Sequence, residues 1–547
     1  MSPRARHSAA LAALLCVLAL AAALRLWAID FGHPHPLVRP DEKEILEPAF
    51  RFAQGDYNPK YHVYPGLYLY MMWLWSAGLL FLRSLFAPVP PFHAALLSAF
   101  FGVPDSRWTS PIIHGRILAA LVGTLTVLAV YLVGRRRDSR ATGLVAAALL
   151  ATCFLHVRDS HSLKAEAFLT FAIVPAIAAC ARLVEEPTGR RGLVAGLWIA
   201  FATGMKQPGI LLLVPLWAAG ALTSTRAGLR RILPTGPVWI GAIAAIAGFL
   251  ATGPYMILDW PFVWQTMGPA IGTVFAPRGE ADLHRPVERA FWYHVTTSFR
   301  WGTGLLFSLL TVPALALGAR GLEPFFALAT LFSLLWLVVI GVSPVHHVRY
   351  LTPILPLLAL LVARLLVQVA SRAGRWAKVA LAVATVAICA EPLASSVAHD
   401  RILARTDTRV LATEWLGAHT AQGEQVAVLG TRIWPYGAPM LPRGITALSL
   451  GGRNGLEPGA ARFLVTHEHP LPFSRVDAAD LQRLRPRLHL EVEFSPWEDS
   501  TPRGWFEEAD AYYAPFRDFA GVKRAGPLVR IYSIAPASPG AAAVDAP

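Results

Sequence analysis

The sequence predicts a mainly α-helical polytopic membrane protein carrying a small soluble α/β domain near its C-terminal end. Hydrophobic residues make up 55% of its 547 positions, and mean hydropathy is +0.46. Nearly charge-free apolar runs of about 18 to 22 residues recur through residues 1–398, long enough to cross a bilayer. The backbone of such a run has to satisfy its own hydrogen bonds in lipid, so the runs are helices. After Asp400 the pattern changes to one amphipathic stretch and short β-like runs between Gly- and Pro-rich turns.

Arg4 and Arg6 precede the first apolar run, from about Ala9 to Ala28. Arg25 and Trp27 stand where a signal peptide would place a small-residue cleavage site. The run therefore reads as a retained first span with a cytoplasmic N-terminus. Basic clusters at Arg135-Arg136-Arg137 with Arg140, at Arg190-Arg191, at Arg226 with Arg230-Arg231, at Arg320, and from Arg372 to Lys378 each separate two apolar runs. Placing these clusters in the cytoplasm predicts spans near 116–134, 142–157, 167–184, 192–205, 208–222, 237–258, 302–319, 324–342, 350–370 and 378–396. Residues 67–86 and 91–101 form either a further crossing hairpin or an interfacial segment, so the total is about eleven to thirteen transmembrane helices.

The soluble domain is expected over 399–535, with an amphipathic helix at 407–419 and strands at 426–429, 463–465 and 529–532. The Ala/Pro/Ser-rich tail 536–547 is expected to be disordered. The formal charge of +14 does not indicate nucleic acid, because the basic residues sit in short loops between apolar runs instead of forming a stripe with aromatics. Cys16, Cys153, Cys180 and Cys389 all fall inside predicted spans without zinc-type spacing, which argues against disulfides and a cysteine metal site. Neither a Walker lysine motif nor a Rossmann glycine cluster is present, so an activated group has to come from the membrane or from outside the cell.

Titratable residues concentrate in the loops opposite the basic clusters. The first such loop holds Asp41, Glu42, Glu44, Lys60 and His62, next to Tyr64-Pro65. Adjacent carboxylates just outside a bilayer suit deprotonation of an acceptor; they equally suit a solvated loop that stops a helix from sliding. The second, 156–166, carries His156, Asp159, His161, Lys164 and Glu166 on one bend, and reads as a site or as an interface anchor. Lys206 lies where two spans meet and suits either an anchor or a phosphate contact. Residues 259–301 form a long charged loop suited to covering a site. Arg349 at a helix start suits a phosphate or a lipid headgroup, whereas the neighbouring His346 and His347 point in different directions on a helix, which disfavours a metal.

In order and topology these motifs resemble the GT-C fold polyprenyl-phosphate-sugar-dependent membrane glycosyltransferases, in particular the protein-O-mannosyltransferase-like group that includes aminoarabinose transferases. The residues carrying the resemblance are Arg39-Pro40-Asp41-Glu42, Tyr64-Pro65-Gly66-Leu67-Tyr68, Gly115-Arg116-Ile117, Ser160-His161 with Glu166, Gly204-Met205-Lys206 and His347-Val348-Arg349-Tyr350. They cover roughly residues 1–400, and 407–416 is similar to the outer domain of bacterial members. Gly66 departs from a second proline common in the family, and Glu166 stands where many members have Asp.

The resemblance implies a catalytic group of Asp41, Glu42 and Glu166, with Asp41 activating the acceptor. It implies neutralisation of the donor phosphate by Lys206 and Arg349, with Lys60 as a further cation. Tyr64, His62, Asp159, His161 and Tyr350 would line the substrate. No cofactor is required; a divalent metal held by Asp41, Asp159 and Glu166 is left open. The implied partners are a polyprenyl-phosphate sugar donor, membrane lipids and an outer lipid, glycan or protein acceptor. The implied location is a bacterial inner membrane, with the C-terminal domain outside the cytoplasm. A transporter or lipid flippase is the alternative, although it would favour ionisable residues at mid-membrane and an internal repeat.

Overall fold

The computed structural model describes residues 3–226, 235–275, 287–321, 323–343, 345–430, 436–451, 455–508 and 510–535. Arg230-Arg231, the middle of the 259–301 loop (276–286) and the 536–547 tail lie outside the described residues. The chain divides into two compact units. One is Met1–Ile29, Asp41–Leu96 and Trp108–Val397; the other is Asp30–Pro40, Leu97–Arg107 and Ala398–Pro547.

The first unit is helical and multi-pass. Among the described residues, six helices are long and apolar enough to cross a membrane: Ser8–Leu26, Pro111–Arg137, Ala165–Glu185, Pro324–Gly341, Val348–Ser371 and one within Gly374–His419. A bent pair, Ala290–Gly302 with Leu305–Arg320 at 120°, raises the number to seven, and Arg140–Thr152, Gln207–Thr223 and Gly236–Thr252 are shorter apolar helices. Further predicted segments correspond to these shorter apolar helices, and some predicted ends run past breaks in the helix. The predicted span 142–157 stops at Thr152, where Cys153 turns extended before a short helix Phe154–Asp159. The span 237–258 stops at Thr252, ahead of Gly253-Pro254. Residues 66–84 do form a helix, Gly66–Ser84.

Ala165–Glu185 is the core helix, with 78% of its apolar window buried. Beside it runs Gly189–Met205, which meets Gly236–Thr252 through Gly192 and Gly196. A Cβ on Gly192 would lie 1.9 Å from the Pro237 carbonyl oxygen, and one on Gly196 would lie 2.1 Å from that of Gly241. Small residues four apart let two backbones touch where apolar side chains gain little over lipid. The contact fixes the helix whose C-terminal end carries Lys206.

The second unit holds a five-stranded sheet: β1 (Gln425–Leu429), β2 (Thr446–Leu450), β3 (Phe463–Glu468), β4 (Leu488–Phe494) and β5 (Leu528–Ile534), in the order β2-β1-β3-β5-β4. β1 pairs parallel with β2 and β3, while β5 pairs antiparallel with β3 and β4. Side chains alternate across the sheet. Val426, Phe463, Val465, Val529 and Ile531 pack with Ala412 and Leu416 of the helix Thr408–His419. Ala427, Leu429 and Leu464 face the opposite layer with Leu484. Asp407 caps the helix by accepting from Arg409 N–H at 2.9 Å.

Candidate active site

The charged residues of the first unit gather where its helices begin or end. Asp41 is the N-cap of Glu42–Leu46, and Tyr64 precedes Gly66–Ser84. Glu166 lies in the first turn of Ala165–Glu185, where the helix dipole favours a carboxylate. Lys206 caps the C-terminal end of Gly189–Met205; its own backbone is extended, with φ of -155° and ψ of 133°, and a 3₁₀ turn, Gln207–Leu212, begins directly after it with a proline at its start. Arg349 lies in the 3₁₀ turn Val348–Ile354.

Two cations converge on one carboxylate oxygen. Lys206 Nζ donates to Glu166 Oε1 at 2.6 Å, and Arg349 Nε reaches the same atom at 3.1 Å. Glu166 is 2% exposed, against 20% for Lys206 and 13% for Arg349, so the pair presents positive charge from a buried anchor. The Lys206 and Arg349 cations also lie 5.8 and 5.9 Å from the Tyr350 ring centre, at the outer limit of a cation–π contact. Lys164 Nζ donates to Asp41 Oδ2 at 3.1 Å. Lys164, Lys206 and Arg349 therefore face Asp41 and Glu166, an excess of one positive charge that suits an anion.

The three candidate carboxylates differ in what they can reach. Asp41 is 34% exposed on its side chain and Glu42 is 0%. Both Glu42 oxygens are engaged by Arg116, from Nε at 2.9 and 3.2 Å and from Nη2 at 2.6 Å, and Oε1 also accepts from Leu163 N–H at 3.0 Å. Of these two, Asp41 is the more exposed. Its backbone adopts φ of 72°, a left-handed conformation that Asp tolerates better than most residues.

The remaining expected site residues fall into separate groups. Tyr64 is buried among Tyr61 and Tyr68, with ring centres 6.1 and 5.6 Å away. Burial, and then the charges of Asp41 and Glu166, push its phenol well above 10, so it stays neutral. Lys60 and His62 turn to Asp259, which accepts from Lys60 Nζ at 2.7 Å and from Asn58 Nδ2 at 2.8 Å and lies 3.6 Å from His62 Nε2. Burial lowers the His62 pKa despite that carboxylate. Asp159 contacts Arg158 at 3.1 Å and accepts from Thr352 Oγ1 at 2.5 Å. The His161 ring nitrogens lie 2.9 Å from the Val157 and Trp27 carbonyl oxygens, which staples two segments together.

Asp41 pairs with Lys164, Asp159 with Arg158, and Glu166 with both Lys206 and Arg349. Among the described residues no group of three or more His, Cys, Asp or Glu is placed to hold a metal ion. His346 stacks on Tyr293 while His347 packs edge-on to Tyr350. Sequence reasoning assigned no role to Lys164, Arg116 or Asp259. Asp259 opens the charged outer loop, a position that could have marked it as a partner for Lys60.

Comparison with known proteins bears on the fold. A family model described as dolichyl-phosphate-mannose-protein mannosyltransferase matches residues 87–253, less than half of the chain, a stretch that includes Glu166 and Lys206. No curated protein sequence matches. Among solved structures, ArnT from Cupriavidus metallidurans in the apo state superposes with a TM-score of 0.54 at 13% identity, over 96% of this chain and 98% of that one. The same protein bound to undecaprenyl phosphate matches at 0.54 and 13%, over 94% and 97%. An Archaeoglobus fulgidus oligosaccharyltransferase tethered to an acceptor peptide matches at 0.50 and 10%, over 96% and 88%. At these identities the likeness establishes the fold: the chain has the ArnT-like, GT-C architecture that its motifs suggested.

Proposed function

We propose that this protein is a membrane glycosyltransferase that moves a sugar from a polyprenyl-phosphate donor to an acceptor outside the cytoplasm, in a bacterial inner membrane. The observation that carries the reading is the pair Lys206 and Arg349 held on Glu166 beside Asp41, with its net positive charge and part-open cations. The ArnT-like fold supports it, and that relative is itself known bound to undecaprenyl phosphate.

In this mechanism the donor phosphate engages the faces of Lys206 and Arg349 not used by Glu166. The Asp41 carboxylate accepts the proton of the acceptor hydroxyl as its oxygen attacks the anomeric carbon. A new carbon–oxygen bond forms, the bond from that carbon to the phosphate oxygen breaks, and its electron pair leaves with polyprenyl phosphate. Lys206 and Arg349 stabilise the charge gained by the leaving phosphate. Glu42 and Glu166 are read as positioning residues, the first holding the Asp41 turn through Arg116 and the second holding the two cations. Tyr64 and Tyr350 line the substrate, whereas Asp159 and His161 brace the second outer loop. Lys60 and His62, tied to Asp259, order the first outer loop. The domain boundary at 398/399 and an outer location for the C-terminal domain belong to the same proposal. Hexose and pentose donors, and lipid, glycan and protein acceptors, all fit this chemistry.

The test uses purified full-length protein, a panel of radiolabelled polyprenyl-phosphate sugars and a cell-envelope extract as acceptor source. Wild type is expected to release polyprenyl phosphate from one donor, and Asp41→Asn to fail while still binding undecaprenyl phosphate. Equal turnover by a folded Asp41→Asn removes Asp41 from the mechanism. Vesicle transport of the donor without sugar transfer favours the flippase alternative.

A further inference from the structure

Arginines gather at the end of the helical unit that lies away from Glu166 and Lys206. The helix Ala165–Glu185 carries Glu166 in its first turn and Arg182 in its last, about 24 Å apart at a rise of about 1.5 Å per residue. The helix Gly189–Met205 carries Arg190-Arg191 in its first turn and ends at Lys206, and Pro111–Arg137 finishes on Arg135-Arg136-Arg137. The hydrocarbon core of a bilayer is about 30 Å thick, so these arginines meet the headgroups of the leaflet opposite Lys206.

Two adjoining cavities lie there, both within the helical unit. One, of about 260 Å³, is a groove between these three helices, with Val174, Pro175, Val194 and Trp198 on its walls and Arg182 and Arg191 at one end. The other, of about 500 Å³, shares Arg182 and is lined by Arg135, Arg136 and Arg137. Trp198 lies two helical turns beyond Arg191, so the apolar groove reaches about 10 Å toward the bilayer centre. Leu132 and Val194 on its walls are exposed, so it opens to lipid and not into the bundle.

The charges here do not balance. Arg137 pairs with Glu185 and lies 3.5 Å from Glu323, and Arg191 pairs with Glu186 at 2.7 Å. Among the described residues Arg135, Arg136 and Arg182 make no ion pair. Five arginines thus face three carboxylates, an excess of two positive charges. Arginines that only marked the membrane surface would snorkel to water and need no apolar groove beneath them.

We infer that this groove binds an anionic phospholipid of the leaflet opposite Lys206, with its phosphate on Arg182 and an acyl chain running toward Trp198. Arg135 and Arg136 add positive charge beside the headgroup, and the planar guanidinium of Arg182 matches two phosphate oxygens at once. The site stands apart from the sugar-transfer reading, at the other end of the same helix, and does not depend on it.

The test is native mass spectrometry of the full-length protein in detergent, titrated with phosphatidylglycerol, with phosphatidylcholine of the same chains, and with inorganic phosphate as competitor. Wild type should hold phosphatidylglycerol about 30-fold more tightly than phosphatidylcholine, the factor for two excess charges at a membrane surface. Arg182→Gln should weaken phosphatidylglycerol about fivefold. Ala178→Phe fills the groove and keeps every charge, and should weaken both phospholipids. Lys206→Met should leave phosphatidylglycerol binding unchanged. Melting in phosphatidylcholine nanodiscs checks the fold of each variant, and Ala178→Phe decides if Arg182→Gln is unstable. Equal affinity for the two phospholipids, or phosphatidylglycerol binding untouched by both groove variants, overturns the inference. So does a loss of that binding in Lys206→Met, which would put the phospholipid at the other end. Displacement by inorganic phosphate, with Ala178→Phe binding like wild type, would make the ligand a free phosphate and overturn the lipid assignment.

Discussion

Lys206 Nζ and Glu166 Oε1 are 2.6 Å apart, and Arg349 Nε shares that oxygen at 3.1 Å, so one buried carboxylate orders two cations from distant parts of the chain. Charge-assisted hydrogen bonds of this kind contribute about 1.5–3 kcal/mol. Lys206→Met and Arg349→Leu are each expected to weaken undecaprenyl phosphate binding by about tenfold or more. Glu166→Gln leaves both cations without their carboxylate and should tighten the lipid phosphate while slowing its release. Equilibrium binding of undecaprenyl phosphate, followed by intrinsic tryptophan fluorescence, checks all three; tighter binding in Lys206→Met would contradict the assignment.

The Glu42–Arg116 pair makes a different prediction, because both side chains are almost wholly buried. Glu42→Gln strands a guanidinium and should cost about 3–5 kcal/mol, whereas Glu42→Met with Arg116→Leu should recover most of that stability. Thermal melts of the purified variants distinguish a positioning role from a chemical one. A Glu42→Gln protein that melts like wild type yet is inactive would return Glu42 to the proton-transfer step.

The sequence exposed the candidate site through charges gathered on loops that flank apolar runs, since Asp41, Tyr64, Glu166, Lys206 and Arg349 all lie at helix ends. It could not apportion them. Glu42 and Asp41 are adjacent, and only the fold shows that one is buried against Arg116 while the other remains open. Asp159 and His161 looked equally chemical but are consumed by Thr352 and by backbone carbonyls. Two predicted spans run past the ends of their helices because hydropathy does not register the breaks at Cys153 and Gly253. In the soluble unit the strands β1, β3 and β5 were legible. The alternation of Leu488, Leu490, Val492 and Phe494 with His489, Glu491 and Glu493 was also present in the sequence and marks β4.

The backbone contact through Gly196 makes a test that joins helix packing to the proposed phosphate site. A Cβ there would lie 2.1 Å from the Gly241 carbonyl oxygen, so a larger side chain has to push the two helices apart. Gly196→Val is expected to lower the melting temperature and, by moving the helix that ends at Lys206, to weaken undecaprenyl phosphate binding more than Gly78→Val, where no atom lies within 4 Å of the added Cβ. Equal binding by the two variants would uncouple that helix contact from the site.

Buried histidines in the C-terminal unit predict acid sensitivity. His35 and His467 are held down to about 4, and His469 to about 3, each by burial first and then by the positive charge of Arg409. His467 Nδ1 sits 3.0 Å from Ser474 Oγ, which in turn lies 2.8 Å from the Tyr513 hydroxyl, and His469 Nδ1 accepts from the Leu471 N–H at 3.1 Å. A folded-state pKa below the unfolded 6.5 means that the unfolded chain binds protons first as the pH falls. Stability is then full above about 6.5 and declines toward about 4, by about 3 kcal/mol for a histidine held at about 4. Hydrogen exchange across β1 and β3 in the intact protein should show protection falling through that window. His467→Gln should flatten the decline, since a neutral amide has no proton to gain; an unchanged slope would place the acid sensitivity elsewhere.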